Sequence, residues 1–281
     1  MSKTVRFIAL GFIAAGFILA FQYVGSMNAD KLLNAQLKET FEAAKTTQSA
    51  SVLDQTGPTE NTQPSKMETV VTEVETIETS MQKPDPFAGL RQPTWTIVDN
   101  PLMSLYEKNN DLVGWIKIDD TRIDYPIVKG KDNDFYLERD FNRQASRAGS
   151  IFMDYRNIGD FQDKHTIIYG HRMKNTTMFA DLVRFKDSKF YESHRIIAID
   201  TLYGRKEYEL FAAYTTSTDF YFIETRFDAL TQQDFIDEIQ KRSDHDWDVA
   251  IDENDRILTL ATCAYDYEDA RFVVHARLLD S

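Results

Sequence analysis

The sequence predicts a mainly β domain built as a closed or nearly closed barrel, and three observations carry that prediction. About eight short runs rich in Val, Ile, Tyr and Phe, separated by polar or turn residues, fill the chain from residue 112 onward. Only two helical patterns interrupt them, so the regular strand–helix alternation of a parallel α/β sheet is missing. Aromatic residues return near Trp95 and stay frequent to the end, which marks a single globular unit.

The elements follow in order. "NPLMSLYEKNNDL" places Leu102, Leu105 and Tyr106 on one side of a helix, with Asn100 as cap and Pro101 at its first position. The strand runs are "LVGWIKI", "RIDYPIV", "GSIFMDY", "HTIIYGH", "RIIAID", "KEYELFAAYT", "RILTLATC" and "RFVVHARL". Between them "NTTMFADLVRF" puts Met178, Phe179, Leu182 and Val183 on one helical face. "LTQQDFIDEIQKR" opens on a capping box from Thr231 to Asp234 and buries Phe235, Ile236 and Ile239.

The first 90 residues read differently. "FIALGFIAAGFILAFQYV", residues 7–24, is long and apolar enough for a membrane span, with Lys3 and Arg6 before it. Its length favours an uncleaved anchor over a cleaved signal peptide. The expected localisation is therefore a single-pass protein with residues 1–6 in the cytoplasm and the globular part outside. Residues 25–45 carry apolar side chains at near-helical spacing and read as a juxtamembrane helix, most simply a solvated one. Residues 46–90, rich in Thr, Ser, Glu and Pro, read as a flexible acidic stalk, leaving 91–281 as the globular domain.

Composition excludes several functions. A formal net charge of −13 argues against nucleic-acid binding, which draws on clustered Lys and Arg. No His or Cys cluster has zinc-ligand spacing, and neither "DYEDA" nor "DENDR" has the spacing of an EF-hand loop. Phosphate loops, dinucleotide fingerprints and serine-hydrolase elbows are absent, so no cofactor is expected.

What remains is a lone thiol. Exported domains normally keep cysteines in pairs, so Cys263 is an inert core residue, an intermolecular bridge or a reactive group. In "ILTLATC" the leucines alternate with Thr259, Ala261 and Cys263, which places the thiol opposite the leucine face beside small side chains. If "AYDYEDA" joins two antiparallel strands, Arg271 opens the next strand at the same rim. A thiol nucleophile needs an imidazole partner. His165 and His194 stand at polar strand starts and read as exposed, His245 lies in a polar loop, and His275 is mid-strand. His171 follows "TIIYG", where a strand gives way to a loop, two residues after Tyr169.

"YGH" at 169–171, "TLATC" at 259–263 and the arginine opening the next strand together resemble a sortase. "VGWIKID", "YPIVKG", "GSIFMDYRN", "IIYGHRMKNTTMFADL" and the helical insertion before the cysteine strand resemble class B sortases in particular. The resemblance implies an eight-stranded sortase barrel with N-terminal helices, and a cysteine transpeptidase. It carries the nucleophile to Cys263, the histidine to His171 and the arginine to Arg271, and it implies that Tyr169 and Thr262 line the substrate groove. It implies surface proteins with an N-P-x-T-[N/G]-like C-terminal signal as substrates, and an amine of a peptidoglycan precursor or a pilin as acceptor. Two alternatives stand beside it: a cysteine endopeptidase that only hydrolyses, and a non-catalytic adhesion or scaffold module.

Overall fold

The computed structural model describes residues 25–48, 101–217, 220–227, 229–245, 248–264 and 269–279. The expected span at 7–24 lies outside them, as does nearly all of the expected stalk.

The barrel is closed and has the strand order β1-β2-β3-β4-β7-β8-β6-β5. Its strands are β1 (Leu112–Lys117), β2 (Asp124–Lys129), β3 (Ile151–Met153), β4 (His165–Tyr169), β5 (Ile196–Thr201), β6 (Gly204–Thr216), β7 (Ile257–Cys263) and β8 (Arg271–Leu278). Two of the pairings, β2 with β3 and β4 with β7, are parallel and the others antiparallel. A parallel pair needs a long crossover. Between β4 and β7 that crossover holds everything from residue 170 to 256, including α3 (Ser188–Ser193) and α4 (Ala229–Arg242).

β7 and β8 are buried on both faces. Leu258, Leu260, Phe272 and Val274 fill the barrel interior. On the outer face Ile257, Ala261 and Val273 meet Phe235, Ile236 and Ile239 of α4 and Phe222 of the preceding loop. The thiol's own face is thus covered along most of β7 and opens only at its end.

Two helical readings change. "NTTMFADLVRF" folds not as an α-helix but as a 3-10 helix over Phe179–Lys186. Phe179, Leu182 and Phe185 are fully buried at a spacing of three, the repeat that stacks side chains on one edge of a 3-10 helix. α4 begins at Ala229, which puts Thr231 inside the helix and not at its cap, while Phe235, Ile236 and Ile239 are buried as the pattern predicts. The first domain helix, α2, spans Met103–Lys108 with Leu102 at its N-cap; Asn100 lies outside the described residues.

The long N-terminal helix, α1 (residues 25–48), is not a solvated rod. Leu37 and Phe41 are buried, and the Phe41 ring stacks on Trp115 of β1 at 4.6 Å. Burying two such side chains contributes about 1.5–3 kcal/mol each. Lys38 pairs with Asp124, Lys45 with Asp200, and Ser146 donates to Asp30. Helix and barrel share one apolar cluster.

This arrangement corrects the expected single-pass localisation. Among the described residues no helix is long and apolar enough to cross a membrane. The physical reason is plain for α1, which carries Lys31, Lys38, Glu39, Glu42 and Lys45 and spends its apolar stripe on the barrel. Each such charge costs about 2.5–3.5 kcal/mol at a bilayer centre. The single-pass assignment is withdrawn.

Candidate active site

Three neighbouring strands build the site. The parallel pairing of β4 and β7 sets Tyr169 opposite Ala261. Two residues further on each strand, His171 and Cys263 come side by side, close enough for each to shift the other's proton affinity. The antiparallel pairing of β7 and β8 sets Cys263 opposite Arg271. Thiol, imidazole and guanidinium thus meet at one rim of the barrel, the arginine through the antiparallel pairing the sequence suggests and the histidine through a parallel pairing it does not show.

The residue between Tyr169 and His171 has to be glycine. A Cβ on Gly170 would lie 2.4 Å from Ile151 Cδ1 and 2.8 Å from the Phe179 ring. Gly170 N–H donates to the Ala261 carbonyl, and the His171 carbonyl accepts from Phe179 N–H, so the chain is pinned on both sides of the histidine.

A carbonyl fixes the imidazole. His171 Nε2 lies 2.8 Å from the Leu137 carbonyl oxygen, which can only accept, so Nε2 carries a proton. That leaves Nδ1 as the nitrogen that exchanges a proton with the thiol. The neighbouring Cys263 thiol is the main cause that holds His171 above the usual imidazole range; burial opposes it, and the Leu137 carbonyl and Glu138 reinforce it. The Cys263 thiol is held below the ordinary thiol range, chiefly by His171. Burial pushes it up, and the Arg271 guanidinium pulls it down. Both shifts favour a thiolate–imidazolium pair.

Cys263 and Arg271 are half-buried and open into a groove of about 390 Å³. Its walls come from the β2–β3 loop (Asn133, Asp134, Leu137), the end of β4 (Tyr169, Gly170, His171), the β6–α4 loop (Phe222) and the end of β7 (Ala261, Thr262). Tyr169 and Thr262 therefore both line it. The Tyr169 hydroxyl is already used, donating to Asp154 Oδ2 at 2.8 Å, so the ring and not the hydroxyl is offered to a ligand. The Thr262 hydroxyl is buried with no hydrogen-bond partner.

Several contributors escape a strand-by-strand reading. Leu137 acts through its backbone, which leaves no mark in the side-chain pattern. Asp154, Arg156 and Asn133 stand in "MDYRN" and "KDNDF", and only the pairing of an acid with an arginine two residues on hints at them. Among the described residues no group of His, Cys, Asp and Glu is arranged to hold a metal ion.

A thiol paired with an imidazole and flanked by a guanidinium, at the open rim of a rigid barrel, is the equipment of a thiol-dependent acyl-transfer enzyme. Comparison with known proteins makes this specific. The sortase-domain family profile matches residues 116–279. Sortase B of Listeria monocytogenes is 44% identical over 185 residues, covering 65% of this chain and 75% of the relative. A crystal structure of sortase B from B. anthracis matches with a TM-score of 0.61 at 43% identity, covering 66% of this chain and 88% of the other. A Staphylococcus aureus sortase B–substrate complex matches with a TM-score of 0.61 at 41% identity, over 64% of this chain and 85% of the other. The chain belongs to the sortase family, and it is a cysteine transpeptidase of the sortase B type, an enzyme of cell-wall anchoring.

Proposed function

We propose that this transpeptidase cleaves a C-terminal N-P-x-T-[N/G]-like signal after its threonine and passes the acyl group to an amine of a peptidoglycan precursor or a pilin. The catalytic unit is residues 91–281, with α1 docked against it. The observation that carries the reading is the meeting of Cys263, His171 and Arg271 at the ends of three adjacent strands beside a groove of about 390 Å³.

The chemistry runs in two balanced halves. Cys263 Sγ, as thiolate, adds to the threonine carbonyl carbon while His171 holds the proton at Nδ1. Arg271 donates to the oxygen on which negative charge develops, and being always charged it needs no proton bookkeeping. The C–N bond breaks, the His171 proton goes to the leaving amine, and a thioester remains on Cys263. In the second half an incoming amine gives its proton to His171 and attacks the thioester carbon; the C–S bond breaks and a new amide forms. Tyr169 packs its ring against the bound peptide, and Thr262 supports the groove floor beside the nucleophile.

The test is mass spectrometry of the enzyme incubated with sorting-signal peptides, with and without a short oligoglycine. The expected result is a thioester on Cys263 and, with the amine, a product containing it. Hydrolysis alone in the presence of the amine makes the chain an endopeptidase. No adduct and no turnover, with Cys263 unreactive toward a mild thiol reagent, makes it a scaffold.

A further inference from the structure

Asp154 is fully buried, and Arg156 is partly buried, with 22% of its side chain exposed. Neither lines the groove, yet between them they bond to three of its walls. Asp154 Oδ2 accepts from Asn133 Nδ2 at 3.0 Å and from the Tyr169 hydroxyl at 2.8 Å. Both of its oxygens accept from Arg156, Oδ1 from Nε and Oδ2 from Nη2, each at 2.8 Å. Arg156 then turns its remaining donors to the loop between β6 and α4. Nη1 donates to the Tyr221 hydroxyl and Nη2 to the Ile223 carbonyl, both at 2.9 Å. Those two residues bracket Phe222, which faces the groove.

The contacts have a common geometry. Asn133 begins the wall that ends at Leu137, whose carbonyl holds His171. Tyr169 stands two residues before His171 on the opposite wall. Phe222 forms the third. A two-oxygen carboxylate and a planar five-donor fork fix both distance and angle, which an apolar contact of the same volume does not. Burial would raise the Asp154 carboxyl, but the bonds from Arg156, Tyr169 and Asn133 win, and it is held below the usual carboxylate range. The pair therefore stays charged and stays made through neutral pH.

We propose that Asp154 and Arg156 are positioning residues that set the separation of the three groove walls, and through it the fit of the peptide against Cys263. The proposal rests on the reading of this groove as the peptide site. Because the pair touches no reacting atom, its loss should leave the intrinsic reactivity of the thiol intact and fall on peptide binding and alignment.

The test uses the full chain and three variants, Arg156→Ala, Arg156→Lys and Tyr221→Phe. Two rates are compared: turnover of a fluorogenic peptide of the Asn-Pro-x-Thr-Asn type, and alkylation of Cys263 by iodoacetamide, a reagent too small to need the walls. The expected result for Arg156→Ala is a fall of about 10- to 100-fold in kcat/KM, carried mainly by KM, with alkylation changed less than about 2-fold. Arg156→Lys keeps the charge beside Asp154 but loses the fork, and falls between Arg156→Ala and the unaltered chain. Tyr221→Phe, which removes one bond at a 54%-exposed side chain, lowers kcat/KM by only about 2- to 5-fold. Should Arg156→Ala not fold, the lysine and phenylalanine variants decide. Unchanged kcat/KM in folded variants, or alkylation falling in step with turnover, overturns the proposal. A failure of the parent reading looks different: the unaltered chain then alkylates at Cys263 but never forms the peptide thioester.

Discussion

The two ends of β4 carry two histidines that do opposite things. His171 lies just past the strand's end, half-buried, and is held above the usual imidazole range. His165 opens the strand, is fully buried, and is pushed down to about 4, chiefly by burial. Both use the same device, a backbone carbonyl that forces one ring nitrogen to carry the proton: Leu137 for His171 and Glu224 for His165. What differs is the partner of the second nitrogen. At His171 it is a thiol that can give up its proton. At His165 it is the Thr259 hydroxyl, at 2.6 Å, which cannot.

The carbonyl at one end fixes the whole inner chain. His165 Nδ1–H donates to Glu224, so its Nε2 accepts from Thr259. The Thr259 oxygen then accepts from His275 Nδ1–H at 2.7 Å, and His275 Nε2 accepts from the Tyr214 hydroxyl at 3.0 Å. Every ring is neutral and every donor points one way. The difference teaches that a histidine's role is set by access to a titrating partner; a polar neighbour and a fixed tautomer are common to both.

The largest expected effect breaks that comparison at the outer end. His171→Ala should lower kcat/KM by about 10³-fold or more, since it removes both the proton carrier and the main stabiliser of the thiolate. Its Tm should stay close to that of the unaltered chain, because the ring is half-exposed. A residual activity within about 10-fold of the parent, in steady-state assays, would make His171 a bystander.

Acid sharpens the comparison at the inner end. In the fold His165 is neutral down to about 4, whereas in the unfolded chain it takes a proton near the ordinary imidazole value of ~6.5. A depressed basic group means that the unfolded state binds the extra proton within that window. Stability is therefore complete above about pH 6.5, is lost as pH falls toward about 4, and then levels off for this group. The loss from His165 is on the order of 3 kcal/mol. His275, also lowered chiefly by burial, shifts in the same direction and adds to it. Around His165 the Arg156 guanidinium deepens the effect, while Asp154 and Glu224 oppose it. Urea denaturation at pH 7.5 and 4.5 measures the difference; equal midpoints would sink the account of the inner chain.

Thr259→Val asks a smaller question of the same chain. It strands a His275 donor and a His165 acceptor in the core at nearly constant volume, which should cost about 1–3 kcal/mol. Alkylation of Cys263, four residues along β7, should be unaffected. A neutral substitution would show that the hydroxyl bridges nothing of consequence.

Much of the outer site is legible in the sequence, and little of the inner one. Strand alternation puts Cys263 opposite the leucine face, and an antiparallel turn at "AYDYEDA" sets Arg271 beside it, whereas the parallel pairing of β4 with β7 that brings His171 alongside leaves no mark in the sequence. Alternation also gives Leu258 and Leu260 a core face. It does not reveal that α4 and the β6–α4 loop seal the other face, which is why His165 and His275 read as exposed or mid-strand and prove fully buried. Contacts across long separations are illegible for the same reason: the apolar stripe of α1 shows that Phe41 wants a partner, but not that Trp115 supplies it. Phe179, Leu182 and Phe185 fit α and 3-10 repeats almost equally over so short a run, and packing decides between them.

The smallest expected effect separates the two influences on the thiol. His171 is the main cause of the lowered Cys263 value and the Arg271 charge a lesser one, acting against burial. Arg271→Gln keeps a donor and much of the side chain's length but removes the charge. The pH profile of Cys263 alkylation should then move upward, by less than in His171→Ala, because the imidazole, the larger influence, remains. Peptide turnover should fall further than alkylation does, since the oxygen of the tetrahedral intermediate loses a charged donor that the alkylation reaction never uses. If instead the two rates fall together, Arg271 acts only through the thiol. If neither moves, its place opposite Cys263 in the β7–β8 pairing is architectural.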